Sequence, residues 1–457
     1  MPRLESENPP ANSTPGTTSR AHGATWKFAL RALRSRNYRL FFTGQTVSLI
    51  GTWMTQIATS WLVYRLTGSA WLLGIVGFAS RIPTFFLGPF AGVWVDRWNR
   101  HHTLVVTQIL SMAQSFALAW LALAGIITIR EVIWLGLAQG VINAFDMPAR
   151  QAFVIQMVED RADLGNAIAL NSSMVNAARL LGPSIAGVVI AAVGEGYCFL
   201  IDGFSYLAVI ASLLAMRIAT TQPRSAEKAI WQELKEGWGY VTRFVPIRSI
   251  LLLLALISLV GMQHTVLMPI FAAQVLHGDA HTLGFLMGAS GVGALTGAMF
   301  LATRKTVLGL GRVIPLAAAI FGTALIALGL SRFLWISLLL MLFVGGAMMI
   351  QMAASNTILQ TIVQDDKRGR VMSFFSMAFL GMAPFGSLLA GALAHQIGAP
   401  RTVMISGTIC IAGAAWFASQ LSAIRKHVHP IYRTLGIIPE IATGIQTASA
   451  LQTPPEE

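Results

Sequence analysis

Residues 88 to 102, GPFAGVWVDRWNRHH, decide how the chain is interpreted. The stretch begins as an apolar helix end in which Gly88 and Gly92 lie four residues apart, a spacing that lets the backbone of a second helix come close. The chain then leaves the apolar phase at three charged residues: Asp96, Arg97 and Arg100. A carboxylate at such a boundary can accept hydrogen bonds from a helix N-terminus or a base. The stretch predicts a turn between two membrane helices that either acts as a latch or only anchors a loop at the headgroups.

The composition excludes a water-soluble globule. Hydrophobic residues make up 55% of the 457 residues and charged residues only 11%, whereas soluble domains contain about 25% charged residues. The formal net charge of +13 does not predict nucleic-acid binding, because most basic residues fall in loops on one side of the apolar runs. Cys198 and Cys410 lie inside apolar runs and offer neither a disulfide framework nor a zinc spacing. The chain is therefore predicted to be an all-α polytopic membrane protein.

Twelve apolar runs are long enough to cross a bilayer, which takes about 20 helical residues. If both termini are cytoplasmic, 25 of the 32 Lys and Arg lie on the cytoplasmic side, four lie in external loops and three lie deeper in the runs. The positive-inside rule therefore predicts cytoplasmic termini. The runs are 40–64, 71–95, 103–127, 131–153, 165–193, 196–217, 248–273, 283–303, 308–330, 333–355, 370–394 and 400–422.

The runs form two similar halves. SLIGTWMTQ at 48–56 matches SLVGMQHTV at 258–266, and GSAWLLG at 68–74 matches GDAHTLG at 278–284, both at an offset of 210 residues. Two parallel repeats of six helices imply a pseudo-two-fold axis along the membrane normal, with a binding site between the halves near the midplane.

A long connection joins the halves. Five apolar residues in it recur at intervals of three and four, which predicts a helix lying in the cytoplasmic interface: Trp231, Leu234, Trp238, Val241 and Val245. The predicted organisation is a cytoplasmic N-terminal tail over 1–37, a six-helix bundle over 38–217, a cytoplasmic linker over 218–247, a second bundle over 248–424 and an unpatterned cytoplasmic tail over 425–457.

The stretch at 88–102 resembles the loop between the second and third helices of the major facilitator superfamily. Asn99 stands where that family usually has glycine, and Asn is the next residue to tolerate a left-handed turn. Over about residues 35 to 420, the chain resembles the bacterial branch that contains the enterobactin exporter and related efflux permeases. The segments that carry this likeness are WLVYRLTGS, FDMPARQA, ARLLGP, CFLIDGFSYLA and RGRVMSFFSMAFLGMAPFGSLLAG.

The resemblance implies the major facilitator fold, with twelve transmembrane helices in two pseudo-symmetric bundles. It also implies a proton-coupled exporter in the bacterial cytoplasmic membrane that works by alternating access. Siderophores, drugs and amphipathic metabolites are the implied substrates.

Six ionisable residues inside the runs are candidates for binding protons or substrate, because each is costly in lipid without a partner: Asp146, Arg150, Arg81, Arg179, Asp202 and His264. Asp146 and Arg150 share a helix face and can pair, either as a responsive pair or as a structural one. Asp202 either faces the cavity or bonds the preceding loop or an arginine. His264 is either satisfied by a neighbouring hydroxyl or carbonyl, or part of a proton relay.

Of the three arginines deep in the runs, Arg81 or Arg179 is predicted to contact a substrate anion. Arg179 can neither deprotonate nor snorkel from mid-depth, so it must face protein, water or an anion. Arg81 aligns with Gly291 in the second repeat, so the fold's own symmetry does not demand it. With Asp146 as the titrating group, the sequence predicts export of an amphipathic, anionic molecule in exchange for protons.

A motif in the fifth run resembles the antiporter motif of drug and metabolite exporters. It consists of Gly182, Pro183 and Gly187, and a plain helix kink with close packing is the alternative interpretation. NAARLLGPSIAG, which ends at Gly187, also resembles FLGMAPFGSLLAG, which ends at Gly391, although the spacing after the proline differs.

The cytoplasmic gate is predicted from charges in both halves. It joins Gly88, Gly92, Asp96, Arg97 and Arg100 to three residues after the tenth run: Asp366, Arg368 and Arg370. Solvated cytoplasmic charges are the alternative interpretation of these loops.

No Walker loop, His-Glu-x-x-His, nucleophile elbow or redox Cys pair occurs in the sequence, so no catalytic residue, metal site or cofactor is predicted. Energy would come from an ion gradient. The predicted partners are a small-molecule substrate, protons and the lipid bilayer, with no nucleic acid and with a monomeric chain. The alternatives are a proton-coupled importer of a small nutrient and a non-transporting receptor or assembly protein of the same fold.

Overall fold

All regular elements in the described part of the chain are helices. The tails up to residue 29 and from residue 435, and 218–237 of the predicted linker with Trp231 and Leu234, lie outside that part. The computed structural model describes residues 30–158, 160, 163–217, 238–304 and 306–434.

Six spans form the first half, and the second of them is interrupted at Ser80 and Arg81. The helices of this half are α1 Arg36–Thr67, α2 Ala70–Ala79, α3 Ile82–Arg97, α4 Arg100–Leu123, α5 Ile129–Met157, α6 Leu164–Val193 and α7 Glu195–Leu214.

Six more spans form the second half, and two of them contain π-helical turns. The α-helices are α8 Val245–Leu256, α9 His264–Ile270, α10 Ala280–Ala302, α11 Leu310–Leu330, α12 Leu334–Ile362, α13 Asp365–Ser376, α14 Ala383–Ile397, α15 Ala399–Ser419 and α16 Leu421–Thr434. The π turns are Ile257–Gly261, Phe271–Val275 and Met377–Gly381, so that α8 and α9 form span seven and α13 and α14 form span eleven.

Ten helical segments in the described part are long and apolar enough to cross a membrane. The other two long helices, α1 with 32 residues and α5 with 29, lie where the sequence predicts spans one and four. They are more polar because they bury groups such as Gln45 and Asp146 inside the first half rather than facing lipid. The predicted all-α polytopic fold is confirmed.

The short turns between spans follow from local sequence. Gly68 ends α1 with φ of 61°, which glycine adopts without strain. Thr128 and Glu131 form a capping box at the start of α5, and the Asp279 carboxylate accepts from the backbone N–H groups of His281 and Thr282 at the start of α10. These caps place each turn where the next span begins.

The halves meet where α2 packs on α14 and where α6 packs on α10. A Cβ built on Gly74 would lie 2.9 Å from Gly391 Cα, and one built on Gly187 would lie 3.0 Å from Gly284 Cα. We call the span ends near the first and last described residues the termini side and the opposite ends the far side. The two glycine pairs close the far side, and all four glycines end the segments by which the sequence repeats were recognised.

The predicted unpatterned tail is wrong for residues up to Thr434, because α16 forms there. Ile424, Val428 and Tyr432 are buried, and the helix packs on α8, α12 and α15. Their spacing of four was visible in the sequence and is typical of an amphipathic helix. In the linker, residues 238–243 are helical as predicted.

Candidate functional site

Asp146 and Arg150 form the predicted ion pair on α5. The Asp146 carboxylate also accepts hydrogen bonds from Thr107 Oγ1 at 2.9 Å and Gln108 Nε2 at 2.7 Å, both on α4. Asp146 is 2% exposed and the Arg150 side chain is 26% exposed, so the pair and its two neutral donors form a network inside the first half that is partly exposed at Arg150. The sequence predicted the pair but not the α4 donors.

Asp202 on α7 has no ion pair within the described residues. Its Oδ2 atom accepts from Thr55 Oγ1 of α1 at 2.9 Å and from Ser115 Oγ of α4 at 2.8 Å. The partners are therefore hydroxyls of two neighbouring spans, and neither the preceding loop nor an arginine supplies a bond as the sequence had suggested. Asp202 is 1% exposed.

Arg81 and Arg179 lie beside the two contacts between the halves. Arg81 Nη1 donates to Gly77 O at 3.3 Å, and Gly77 packs against Ser387 of α14. Arg179 lies with its guanidinium carbon 5.8 Å from the centre of the Trp53 ring. Neither arginine pairs with an acidic side chain in the described part of the chain.

The arginines occupy related positions in the pseudo-symmetric structure. A Cβ built on Gly291, the repeat equivalent of Arg81, would lie 3.2 Å from the Arg179 carbonyl oxygen. Arg81 is seven residues beyond Gly74 along its span and Arg179 is eight residues before Gly187, which places them about 10 and 12 Å below the far-side closure. Each contact between the halves thus has one arginine on the side that faces away from the far-side closure. Both arginines belong to the first half.

His264 begins α9, three residues after the last residue of a π turn. Its Nδ1 atom lies 2.8 Å from Gly261 O, which can only accept, so Nδ1 carries the proton and Nε2 is the lone-pair nitrogen. Nε2 is buried without a partner, and the ring packs edge-on against Phe321 with 6.0 Å between centroids. The carbonyl partner that the sequence suggested is present.

The span-five motif contacts two helices. Gly182 packs on α1, where a Cβ would lie 2.5 Å from Trp53 Cβ, and Pro183 O and Gly187 face Gly284 of α10. The motif therefore provides close packing on both sides of α6. The antiporter role that the resemblance implies stays a prediction.

The termini-side glycines make no close contact in this conformation. A Cβ on Gly88 or Gly92 would meet no atom of the described residues within 4 Å, so among these residues the close helix approach that their spacing predicts is absent. Asn99 has φ of −69° and caps α4 by accepting from His102 N at 3.2 Å, so the expected left-handed turn is wrong. The side chains of Asp96 and Asp366 lie outside the described part. The gate therefore stays a prediction, also for its four arginines, which are Arg97, Arg100, Arg368 and Arg370.

Sequence reasoning missed two features of this region. The rings of Trp94 and Trp98, at the termini-side end of α3, stack with Phe145 from the middle of α5, with centroids 5.9 to 6.3 Å apart. On the far side, a pocket of about 560 Å³ is lined by residues that include Arg65 and Glu195, which form an ion pair at 2.8 Å. Trp94 and Trp98 lie four residues apart, which is a local signal, whereas Phe145 and the pair of Arg65 and Glu195 come from different spans and have none.

Comparison with known proteins gives the family. A family model described as transmembrane secretion effector matches residues 27–433. The staphyloferrin A transporter of Staphylococcus aureus is 27% identical over 386 residues, which are 84% of this chain and 96% of that protein. The multidrug efflux pump Tap of Mycolicibacterium fortuitum is 26% identical over 367 residues, covering 78% of this chain and 88% of the pump.

A solved structure shares the fold. The bacterial homologue of the human lysosomal transporter Spinster, in an inward-facing and unoccupied conformation, superposes with a TM-score of 0.67 at 15% identity and covers 86% of this chain and 98% of that one. With the twelve helical spans and the repeated halves, these matches show that the chain is a multi-pass membrane transporter of the major facilitator superfamily, in the transmembrane secretion effector family.

Proposed function

We propose that this transporter exports an amphipathic organic anion across the bacterial cytoplasmic membrane in exchange for protons. The observation that carries the proposal is the pair Arg81 and Arg179, which have no acidic partner in the described part of the chain and border the two contacts between the halves. A guanidinium inside a membrane needs an anion or water. An anionic substrate between the halves supplies that partner.

The far side is the external side in this proposal, since the basic residues concentrate at the termini side. The glycine pairs then close the external end in this conformation. Transport requires that Gly74 and Gly391, and Gly187 and Gly284, separate while the termini side closes. The names of the similar proteins, a siderophore transporter and a drug efflux pump, support export of organic molecules.

Proton exchange supplies the energy. Both Asp146 and Asp202 are buried carboxylates in the first half, and a buried carboxylate responds strongly to a change in its partners. In this proposal, a substrate anion that binds at the arginines changes the free energy of proton loss from a carboxylate. By reciprocity, loss of the proton changes the free energy of anion binding by the same amount.

Transport into everted membrane vesicles tests the proposal. The probes are iron-free staphyloferrin A and carboxyfluorescein, an amphipathic anion, with the cation rhodamine 123 for comparison. We expect anion accumulation that an uncoupler abolishes. Arg81→Gln or Arg179→Gln should reduce it about tenfold, the size expected from losing a hydrogen bond to a charged group.

Arg401→Gln is the matched control, because Arg401 is exposed at the far side. Anion accumulation that ignores the proton gradient would contradict proton exchange. Equal accumulation in the Arg81, Arg179 and Arg401 variants would contradict the anion contacts. Uptake into intact cells, with none into everted vesicles, would instead indicate an importer.

A further inference from the structure

We propose that Asp202 is the proton-binding carboxylate of this transporter and that its Oδ1 atom carries the proton, in a space kept open by Gly51 and Ser205. The inference rests on the proposed proton-coupled function and names the site where the coupling ion binds. It moves the proton from Asp146, which the sequence favoured, to span six.

The two buried carboxylates differ in charge compensation. Asp146 is paired with Arg150, so its negative charge is balanced in the resting structure. Asp202 has only neutral hydroxyl partners, on α1, α4 and its own helix. An uncompensated buried charge is far more costly than a compensated one. Asp202 is therefore the carboxylate that gains most from a proton.

The hydrogen bonds distinguish the two oxygen atoms of Asp202. Oδ2 accepts from both Thr55 and Ser115 at less than 3 Å, whereas Oδ1 lies 3.5 Å from Ser205 Oγ. Ser205 Oγ already donates to the backbone oxygen of Asp202 at 2.7 Å, which leaves its lone pairs free to accept. A proton on Oδ1 can therefore donate to Ser205 Oγ. After the proton leaves, the hydroxyl can rotate and donate to Oδ1 instead.

Gly51 on α1 leaves room for this arrangement. A Cβ at this position would lie 2.6 Å from Asp202 Oδ1 and 2.6 Å from Ser205 Oγ. The repeat equivalent, Gly261, faces Cys410 and Phe321 instead of a carboxylate. The second half thus keeps the glycine without the acid, so the carboxylate is not a requirement of the shared fold.

Among the described residues, no Lys, Arg or His side chain bonds to Asp202. The polar groups around it instead suggest a path for protons from the far side. On its own helix lie Cys198, one turn toward the far side, and Tyr206, whose hydroxyl is 3.4 Å from Thr52 Oγ1 of α1. On α4, the Ser115 Oγ atom that donates to Asp202 also lies 3.5 Å from Gln114 Oε1. Glu195, about 10 Å toward the far side along α7, is paired with Arg65 and lines the far-side pocket. In this proposal, protons that enter from the far side first reach the Glu195 carboxylate, which lies two helical turns from Asp202.

Infrared difference spectroscopy of the purified full chain tests the site without substrate. Between alkaline and acidic buffer, the parent should gain a carboxylic-acid C=O band. Asp146→Asn should keep that band and Asp202→Asn should lose it. Ser205→Ala should shift its frequency, because the protonated oxygen loses its acceptor. Asp279→Asn is the matched control, since that side chain is 63% exposed.

Two results would overturn the proposal: a band that survives Asp202→Asn but not Asp146→Asn, or a band removed by Na⁺ at constant pH, which would indicate a metal-cation site. Transport separates this inference from the proposed function. Asp202→Asn should still exchange labelled for unlabelled staphyloferrin A across proteoliposomes, while losing its response to a pH gradient. Loss of exchange as well would point to a structural role and contradict the site. If the parent shows the band but its transport does not respond to the pH gradient, the proposed proton-coupled function is wrong, while the assignment of the proton site to Asp202 still holds.

Discussion

The two ends of the interface between the halves use the same kind of residue in opposite ways. On the far side, Gly74 and Gly187 touch Gly391 and Gly284 at backbone distance. On the termini side, glycines in the motif stretch meet nothing within 4 Å. Small residues allow close backbone approach, and here only one end uses them. We call the contacts of Gly74, Gly187, Gly284 and Gly391 the far-side seam, which is closed in this structure, and the region of Gly88 and Gly92 the termini-side seam. The proposed transport cycle requires that the two seams close alternately.

The largest expected effect decides which end is external. In a background without Cys198 and Cys410, a cysteine at Asp279 should react with a membrane-impermeant thiol reagent in intact cells, whereas one at Glu227 should not. The reason is the concentration of basic residues on the termini side. Permeabilised cells, in which both sites should react, are the control. Labelling at Glu227 in intact cells would reverse the assignment of the two seams.

Gly391→Leu should break the closed seam. A Cβ at Gly391 would lie 2.8 Å from Gly74 Cα and 2.9 Å from Ala70 O, so the obstacle is backbone that cannot rotate away. Overpacking costs about 1–3 kcal/mol, so external labelling of a cysteine at Phe78, between Gly74 and Arg81, should rise about tenfold or more.

Gly92→Leu is the paired control for that experiment. Because Gly92 has open space here, the larger side chain should leave the present conformation intact and hinder only closure of the termini side. Transport should fall in both variants, while labelling at Phe78 should rise only in the first. A rise in both would show that the two seams are not alternatives.

Asp96→Asn should have a smaller effect on the same balance. If the carboxylate holds the termini-side seam closed through a helix terminus or a base, its loss should change the balance by about 1–2 kcal/mol, near the upper end for such charges. Crosslinking between cysteines placed across the termini-side seam measures the population. Equal crosslinking rates in variant and parent, with equal thermal stability, would remove the latch from the mechanism.

The smallest effect is expected at the far-side ion pair of Arg65 and Glu195. The Arg65 side chain is 57% exposed, so water and salt screen the pair. Arg65→Gln should lower the free energy of unfolding by about 1 kcal/mol or less, measured by thermal unfolding against Arg401→Gln. A loss that persists unchanged in high salt would show that the pair is a structural part of the closed seam.

The sequence predicted features that are local or repeated. Span positions followed from apolar length, and the glycines that end the repeat segments proved to be the contacts between the halves. Asp146 and Arg150 were paired correctly because four residues separate them on one helix.

Features built from distant spans could not be predicted in this way. The hydroxyl partners of Asp202 are 147 and 87 residues away in the chain, and no periodicity connects them. Asn99 was misjudged because one residue type serves both left-handed turns and helix caps.

The stacking of Arg179 on Trp53 also gives the protein an optical signal. Indole emission depends on nearby charge, and this ring lies 5.8 Å from the guanidinium that the proposed anion would contact. Of the 12 tryptophans, Trp53 should therefore account for a change in fluorescence when iron-free staphyloferrin A is titrated into the purified protein. Trp53→Phe should remove that change while the emission of the other indoles remains. An unlabelled chain would then report its own occupancy in real time.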